Sequence, residues 1–197
     1  MTSTDARPAR REQILGTAAA LFAARGFHGV SVADIGAACG ISGPALYKHF
    51  ASKDAVLAEM LVSISERLLA GGRARVAAAD GPVAALRSLV EGQVDFALHH
   101  RDLIVVQDRD FESLPEAARD EVRALQRAYV DLWAESCLAL DPSLGPGAAR
   151  ARAHATFGLI NSTPHSARVP DAEMAALLTA MAGRALALPD EASPRPA

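Results

Sequence analysis

Glycine and proline cut this chain into helix-length pieces, and between the cuts apolar residues recur at spacings of three and four. No segment sustains the alternation of β-branched and aromatic residues that strands need. The pattern predicts an all-α fold of about nine helices. They run over about 8–25, 32–38, 43–49, from a cap at Ser52 to about 78, and over about 82–99, 102–111, 116–140, 147–162 and 171–187. The Gly71-Gly72 pair is expected to kink the fourth helix or end it early. Short connections favour antiparallel packing. The segments before residue 9 and after Leu188 are expected to be flexible termini.

The 197 residues are half apolar, enough for a sizeable core. Cys39 and Cys137 lie far apart with no partner pattern, which excludes a disulfide framework and a four-ligand zinc site. No stretch approaches the roughly 18 apolar residues of a membrane span, and the N-terminus lacks a signal-peptide core, so a soluble, cytoplasmic protein with no membrane partner is expected. The net charge of −3 is unevenly distributed: residues 1–53 carry +3 and the rest −6. A small basic end on an acidic body suits a chain that meets phosphates with one end only.

Residues 31–50, SVADIGAACGISGPALYKHF, have the local chemistry of a helix-turn-helix. Ser31 and Asp34 have the spacing of a capping box. Val32, Ile35 and Ala38 are expected to face inward, Gly40 to take the left-handed turn conformation, and Ile41 to anchor the turn. Ser42 caps the next helix, with Pro44 in its first turn. Gly43, Pro44 and Ala45 are small enough for that end to approach base edges. Leu46 and Phe50 face inward, which leaves Tyr47, Lys48 and His49 to donate to phosphate oxygens. A bare helical hairpin with a solvated polar face is the alternative.

Residues 9–68 resemble the DNA-binding domain of the TetR family of regulators. The resemblance runs from LFAARGFHGVSVADI through CGISGPALYKHFASKDAVL and includes Gly26, Phe27, Ser31, Ile35, Gly40, Leu46, Tyr47, Phe50 and Lys53. It implies that Ser31, Tyr47, His49 and Lys53 contact phosphates, with Ser42, Gly43, Pro44 and Lys48 nearest the bases. Ala45 departs from the frequent Ser or Thr, and Pro44 from the frequent Gly. For residues 70–188 the resemblance implies a helical ligand-binding and dimerisation domain. The implied partners are a double-stranded DNA operator, a small-molecule effector and a second copy of the chain.

In that domain Ala148, Ala151, Ala155, Gly158 and Ser162 line one side of the eighth helix, and Met174, Leu177, Leu178, Met181 and Leu188 mark the ninth. Two such helices from each subunit are expected to form a four-helix dimer interface; packing within one subunit is the alternative. Large or polar residues that a plain core does not need mark a candidate pocket: Phe96, His99, Arg109, Phe111, Tyr129, Trp133, His154, Phe157, Asn161 and His165. The segments FGLINSTPHS and RDFESLPEAARDEVRALQRAYVDLW resemble regulators of lipid, steroid or acyl-CoA catabolism. That implies an acyl-CoA or other bulky apolar acid as effector, with Arg109, His99 or His165 meeting its anionic part.

A helical-bundle metalloenzyme is a competing class. The sequence lacks the Glu-x-x-His pairs of a di-iron site, a Gly-rich phosphate loop and a nucleophile motif such as G-x-S-x-G. Asp95 and His99 are a spacing of four apart and read as a helical ion pair before a metal site. The expectation is therefore a regulator with no catalytic residues, metal or cofactor. A DNA-binding regulator that has lost ligand sensing fits the same residues.

Overall fold

The computed structural model describes residues 6–189, and every regular element among them is helical. The first four are α1 (Ala6–Arg25), α2 (Val32–Ala38), α3 (Gly43–Tyr47) and α4 (Lys53–Ala77). They are followed by α5 (Pro82–His99), α6 (Arg101–Asp110), a 3-10 turn (Phe111–Ser113), α7 (Glu116–Leu140), α8 (Pro146–Ile160), the one-turn α9 (Thr163–Ser166) and α10 (Asp171–Ala185). The nine expected helices are these elements without the 3-10 turn and α9. The span between Pro164 and Pro170 was expected as a loop. It begins instead with a helical turn, because Pro164 sits where its missing N–H leaves no bond unmade. The expected flexible termini lie outside the described residues, apart from residues 6–8, which begin α1, and Pro189. No helix among the described residues is long and apolar enough to cross a membrane.

The chain forms two compact units, Met1–Glu66 with Asp102–Leu125, and Arg67–Arg101 with Gln126–Ala197. The sequence reading divided the chain once, near residue 69; the structure also takes 102–125 into the first unit. The reason is hydrophobic burial: Val106, Leu114 and Val122 lie in the same core as Ile14, Phe22, Ile35, Leu46, Val56 and Leu61. α4 and α7 each give residues to both units.

In the second unit α5, α8 and α10 pack on one another. Leu86, Leu89, Val90 and Val94 of α5, Trp133 of α7, Ile160 of α8 and Leu178 of α10 are all buried. Thr163 of α9 donates its hydroxyl to the Ala97 carbonyl at 2.7 Å, satisfying an acceptor in the last turn of α5.

The Gly71-Gly72 pair does not end α4, which continues to Ala77. Gly72 is there because Tyr129 of α7 comes close: a Cβ at 72 would lie 2.6 Å from Tyr129 Cε2 and 3.0 Å from Leu132 Cδ2. A Cβ at Gly71 meets nothing within 4 Å. Adjacent substitutions should therefore have opposite signs. Gly71→Ala gains helix propensity, up to about 1 kcal/mol. Gly72→Ala gains the same propensity but overpacks a ring that its neighbours hold in place, for a net loss of about 1–2 kcal/mol. Denaturant unfolding of both variants checks this, and equal shifts would be inconsistent with the packing described.

Candidate functional site

The segment between α1 and α4 is built by local caps and a tight turn. Ser31 Oγ accepts from the Asp34 N–H at 3.1 Å, and Asp34 Oδ2 accepts from the Ser31 N–H at 2.8 Å and from its hydroxyl at 2.6 Å. These bonds hold the Asp34 carboxyl below its ordinary value, the side-chain bond most strongly, with Arg25 adding to the effect. A lowered value in the folded chain means that the box stabilises α2 above the ordinary carboxylate range and is lost as acid protonates Asp34. The Ser31 hydroxyl proton is thus already directed at Asp34.

Gly40 takes φ +66, as the turn requires. The turn closes through Ile41 N–H to the Gly36 carbonyl at 2.9 Å. A Cβ at Gly36 would lie 2.9 Å from the Ile41 oxygen, so only glycine lets the turn fold back on α2. Sequence reasoning missed Gly36 and assigned Ala38 to the inward face. Ala38 is exposed, and Ile35, Gly36 and Cys39 are the buried residues, because the turn lies against a different strip of α2.

Ser42 caps α3, its Oγ accepting from the Ala45 N–H at 3.4 Å, and Pro44 stands in the first turn. Leu46 and Phe50 are buried, at 0% and 2% exposure, which turns the opposite side outward. There Ser42, Pro44 and Lys48 are exposed, Tyr47 is 55% exposed, and Gly43 and Ala45 are half-buried. His49 is half-buried with Nδ1 enclosed and unpartnered, which leaves Nε2 as the nitrogen able to meet a partner.

Basic side chains fix this surface from behind. Arg11 of α1 pairs with the Glu59 carboxylate, donates to the His49 carbonyl and lies 4.2 Å over the Phe50 ring. Lys53 donates to the carbonyls of Phe27 and Val30 at 2.8 and 2.9 Å and stands 4.2 Å over the Phe27 ring. Two of its three N–H groups therefore serve the fold.

The pocket candidates fall into three groups. Tyr129, Trp133 and Phe157 cluster in the second unit, with ring centroids 4.8–6.1 Å apart. Asn161, one turn beyond Phe157, accepts from Gln93 Nε2 at 2.9 Å, and Tyr129 donates to Gln93 Oε1 at 3.2 Å. Gln93 is 2% exposed and was missed; its signal was an amide on the apolar stripe of α5. Phe96 is half-buried, against the His100 ring. The second group, His99, His154 and His165, is exposed. His99 pairs with Asp95 at 3.2 Å, and no cluster of three metal-ligating side chains occurs among the described residues. The third group lies in the first unit. Arg109 was expected to meet an anionic ligand. Its guanidinium instead donates to the Phe22 and Ala23 carbonyls in the last turn of α1, the first of which also accepts from the Gly26 N–H, and pairs with the buried Asp110. Phe111 packs against the first unit's core, with the Arg123 guanidinium 5.3 Å from its ring.

Two family profiles match the chain: bacterial regulatory proteins of the tetR family over residues 14–60, and the tetracyclin repressor-like C-terminal domain over residues 79–165. The chain is 30% identical over 128 residues to the HTH-type transcriptional repressor KstR2 of Mycobacterium tuberculosis, a match that takes in 62% of this chain and 64% of that repressor. That is just under two thirds of the relative's length. KstR2 of Mycolicibacterium smegmatis is 30% identical over 138 residues, 67% of each chain. Among solved structures, a TetR-family transcriptional regulator from Bordetella parapertussis superposes with a TM-score of 0.78 at 30% identity, over 90% of this chain and 92% of that one. AibR, crystallised with isovaleryl coenzyme A and operator DNA, shares the fold with a TM-score of 0.68 at 22% identity, over 87% of this chain and 97% of that one.

The contrast between the two lysines is measurable without any ligand. Lys53→Ala removes two charge-assisted bonds to carbonyls and should lower stability by about 2 kcal/mol. Lys48→Ala removes an exposed side chain and should change it by less than about 0.5 kcal/mol. Thermal melts of the two variants check this; a Lys53→Ala melt at the parent temperature would contradict the bonding described.

Proposed function

The chain belongs to the tetR family of bacterial regulatory proteins, and on that premise we propose that it is a ligand-responsive transcriptional repressor that binds DNA as a homodimer. The observation that carries the reading is the rigidly backed α3, whose outward side presents Ser42, Pro44, Tyr47 and Lys48. Ser42, Gly43, Pro44 and Lys48 lie near base edges, while Tyr47 and His49 Nε2 donate to phosphates. Ser31 joins them through its hydroxyl oxygen's position at the start of α2, by giving up its bond to Asp34. Lys53 contributes its charge and its third N–H.

One five-residue helix covers too few base pairs for a specific site, so two must cooperate on an inverted repeat, with half-sites about 34–36 Å apart or somewhat more. The small residues Ala148, Ala151, Ala155 and Gly158 of α8 are exposed, and so are Leu177 and Met181 of α10, at 48% and 43%. Met174 and Leu178 instead turn inward within the subunit. The outward side supplies an apolar contact for the second copy. The effector is a bulky apolar acid or acyl-CoA, a reading supported by the coenzyme A thioester in the AibR structure. It binds among the helices that carry Tyr129, Trp133 and Phe157. α4 begins directly after the α3 segment and ends in the second unit, so a ligand that favours another placement of α4 also changes the spacing of the two α3 helices. DNA is then released.

A ligand can do this only by binding the DNA-incompetent state more tightly, and a coupling of about 1–3 kcal/mol changes operator affinity about 5–150-fold. The test is binding to the DNA upstream of the chain's own gene, followed by titration of acyl-CoA thioesters. Operator DNA must weaken effector binding by the same factor by which effector weakens DNA binding. A monomer at micromolar concentration, or an effector that binds free and DNA-bound protein equally, would refute the release mechanism. In DNA binding itself, Lys48→Ala should alter sequence preference. Lys53→Ala should weaken all sequences and flatten the salt dependence by about one unit of slope or less.

A further inference from the structure

Only two of the twenty Lys and Arg residues in the chain are lysines, Lys48 and Lys53, and both stand where the α3 segment meets α4. A guanidinium stays protonated and is no nucleophile, whereas a lysine amine is one once it has lost a proton. The two lysines differ in what holds them. Lys53 Nζ donates to the Phe27 and Val30 carbonyls at 2.8 and 2.9 Å and stands 4.2 Å over the Phe27 ring. Lys48, at the C-cap of α3, is exposed, and its ammonium makes no hydrogen bond, ion pair or ring contact among the described residues.

The sulfur nucleophiles are withdrawn from solvent. Cys39 and Cys137 are free thiols, 5% and 1% exposed. Burial pushes the Cys137 thiol above its ordinary value, which disfavours the thiolate, the form that reacts. Lys48 is thus the one exposed amine or thiol side chain among the described residues. Its place gives that reactivity a consequence. Leu46 and Phe50, two positions before and after it, are buried, so Lys48 lies on the outward side of α3 with Ser42 and Tyr47. Behind that side Arg11 is paired with Glu59 and Arg25 with Asp34, whereas the charge of Lys48 is unpaired.

We infer that Lys48 is a covalent modification site, where an activated acyl group, carried as a thioester or as a mixed anhydride with phosphate, is transferred to the ε-amine and switches the outward side of α3 from cationic to neutral. The ammonium first gives one proton to solvent, and the Nζ lone pair then attacks the acyl carbonyl carbon. The C–N bond forms. The C–S bond of the thioester, or the C–O bond to phosphate, breaks with its electron pair passing to the leaving group, and the second proton lost by nitrogen ends on the thiolate or the phosphate. The product is an uncharged amide, and no oxidant or reductant enters. A free carboxylate has no such leaving group and does not react. The inference rests on the DNA-binding reading above and adds to it a covalent switch that outlasts dissociation of any effector.

The full-length protein is incubated separately with acetyl-CoA, acetyl phosphate and acetate, the reagent is removed by gel filtration, and peptide mass spectrometry locates the adducts. Lys48 should be acetylated at least about tenfold faster than Lys53, whose two charge-assisted bonds must break first, and acetate should give no adduct. Reaction with one activated donor and not the other identifies which of the two supplies the group. Binding to the DNA upstream of the chain's own gene is then measured against salt. The acetylated protein should bind about tenfold more weakly, with a salt dependence flatter by about one unit of slope, and untreated Lys48→Gln should match it. Lys48→Arg keeps the charge without an amine, so treatment should leave its DNA affinity where its own untreated sample has it. Any reaction at the chain's α-amine is shared by that variant and cancels in the comparison. No adduct at Lys48 with either donor, equal acetylation of Lys48 and Lys53, an adduct that leaves DNA binding unchanged, or an equal loss of binding in treated Lys48→Arg each overturn the inference. DNA release only while acetyl-CoA is present, with no adduct, also overturns it and leaves the reversible effector of the proposed function standing. An untreated protein that does not bind the upstream DNA removes that function instead, and the mass spectra then decide the acylation site alone.

Discussion

The outward surface of α3 depends on two cations that bond into the fold, Arg11 and Lys53. α3 has five residues, too few to be stable as a helix alone, so its orientation is set by what holds its ends. At the entry, the Ile41 N–H bonds the Gly36 carbonyl. At the exit, Arg11 takes the His49 carbonyl, and Lys53, the first residue of α4, takes the carbonyls of Phe27 and Val30 in the loop after α1. Carbonyls in a part-buried loop need donors, and the one backbone bond here, from the Val30 N–H to the Phe27 carbonyl, is long at 3.4 Å. One ammonium group therefore ties the loop before α2 to the helix after α3. The aromatic rings beneath both cations, Phe27 under Lys53 and Phe50 under Arg11, add cation–π attraction to the same ties.

This arrangement changes the meaning of the basic charge in residues 1–53. Arg10 bonds Gln13 and the Cys39 carbonyl, Arg11 pairs with Glu59, and Arg25 lies 3.7 Å from Asp34. Each still contributes to the field that attracts a polyanion, because an ion's potential extends about a Debye length into solvent. Part of the donor capacity of Arg10 and Arg11 is used within the fold. Tyr47, Lys48 and the cap residues Ser31 and Ser42 are exposed.

The second unit follows a different logic. The buried hydroxyls of Ser136, Thr156 and Thr163 each bond a backbone carbonyl, and a line of side-chain bonds between neutral groups runs from Tyr129 through Gln93 to Asn161. Such a line is stable only when its members are held in register, since an amide that loses one partner in a low-dielectric interior is worse than an apolar residue. Gly72 makes the register possible by letting the Tyr129 ring lie against α4.

The number of helices, their approximate ends, the capping box at Ser31 and the left-handed turn at Gly40 were legible in the sequence because each is set by residues within a few positions of one another. Short-range rules of spacing and capping suffice there. The same holds for the exposed faces of α3, since Leu46 and Phe50 fix inside and outside by periodicity alone. What the sequence could not decide is what each polar side chain bonds across the fold. Arg109 read as a ligand for an anion and proved to close the end of α1. Gln93 read as nothing and proved to be the centre of a buried polar line, and Gly71-Gly72 read as a break where only the approach of Tyr129 mattered. In every one of these cases the partner lies 36 or more residues away, as for Tyr129 and Gln93, or farther. Side-chain chemistry names the bonds a residue is able to make, and only the packing of distant helices selects which of them is made.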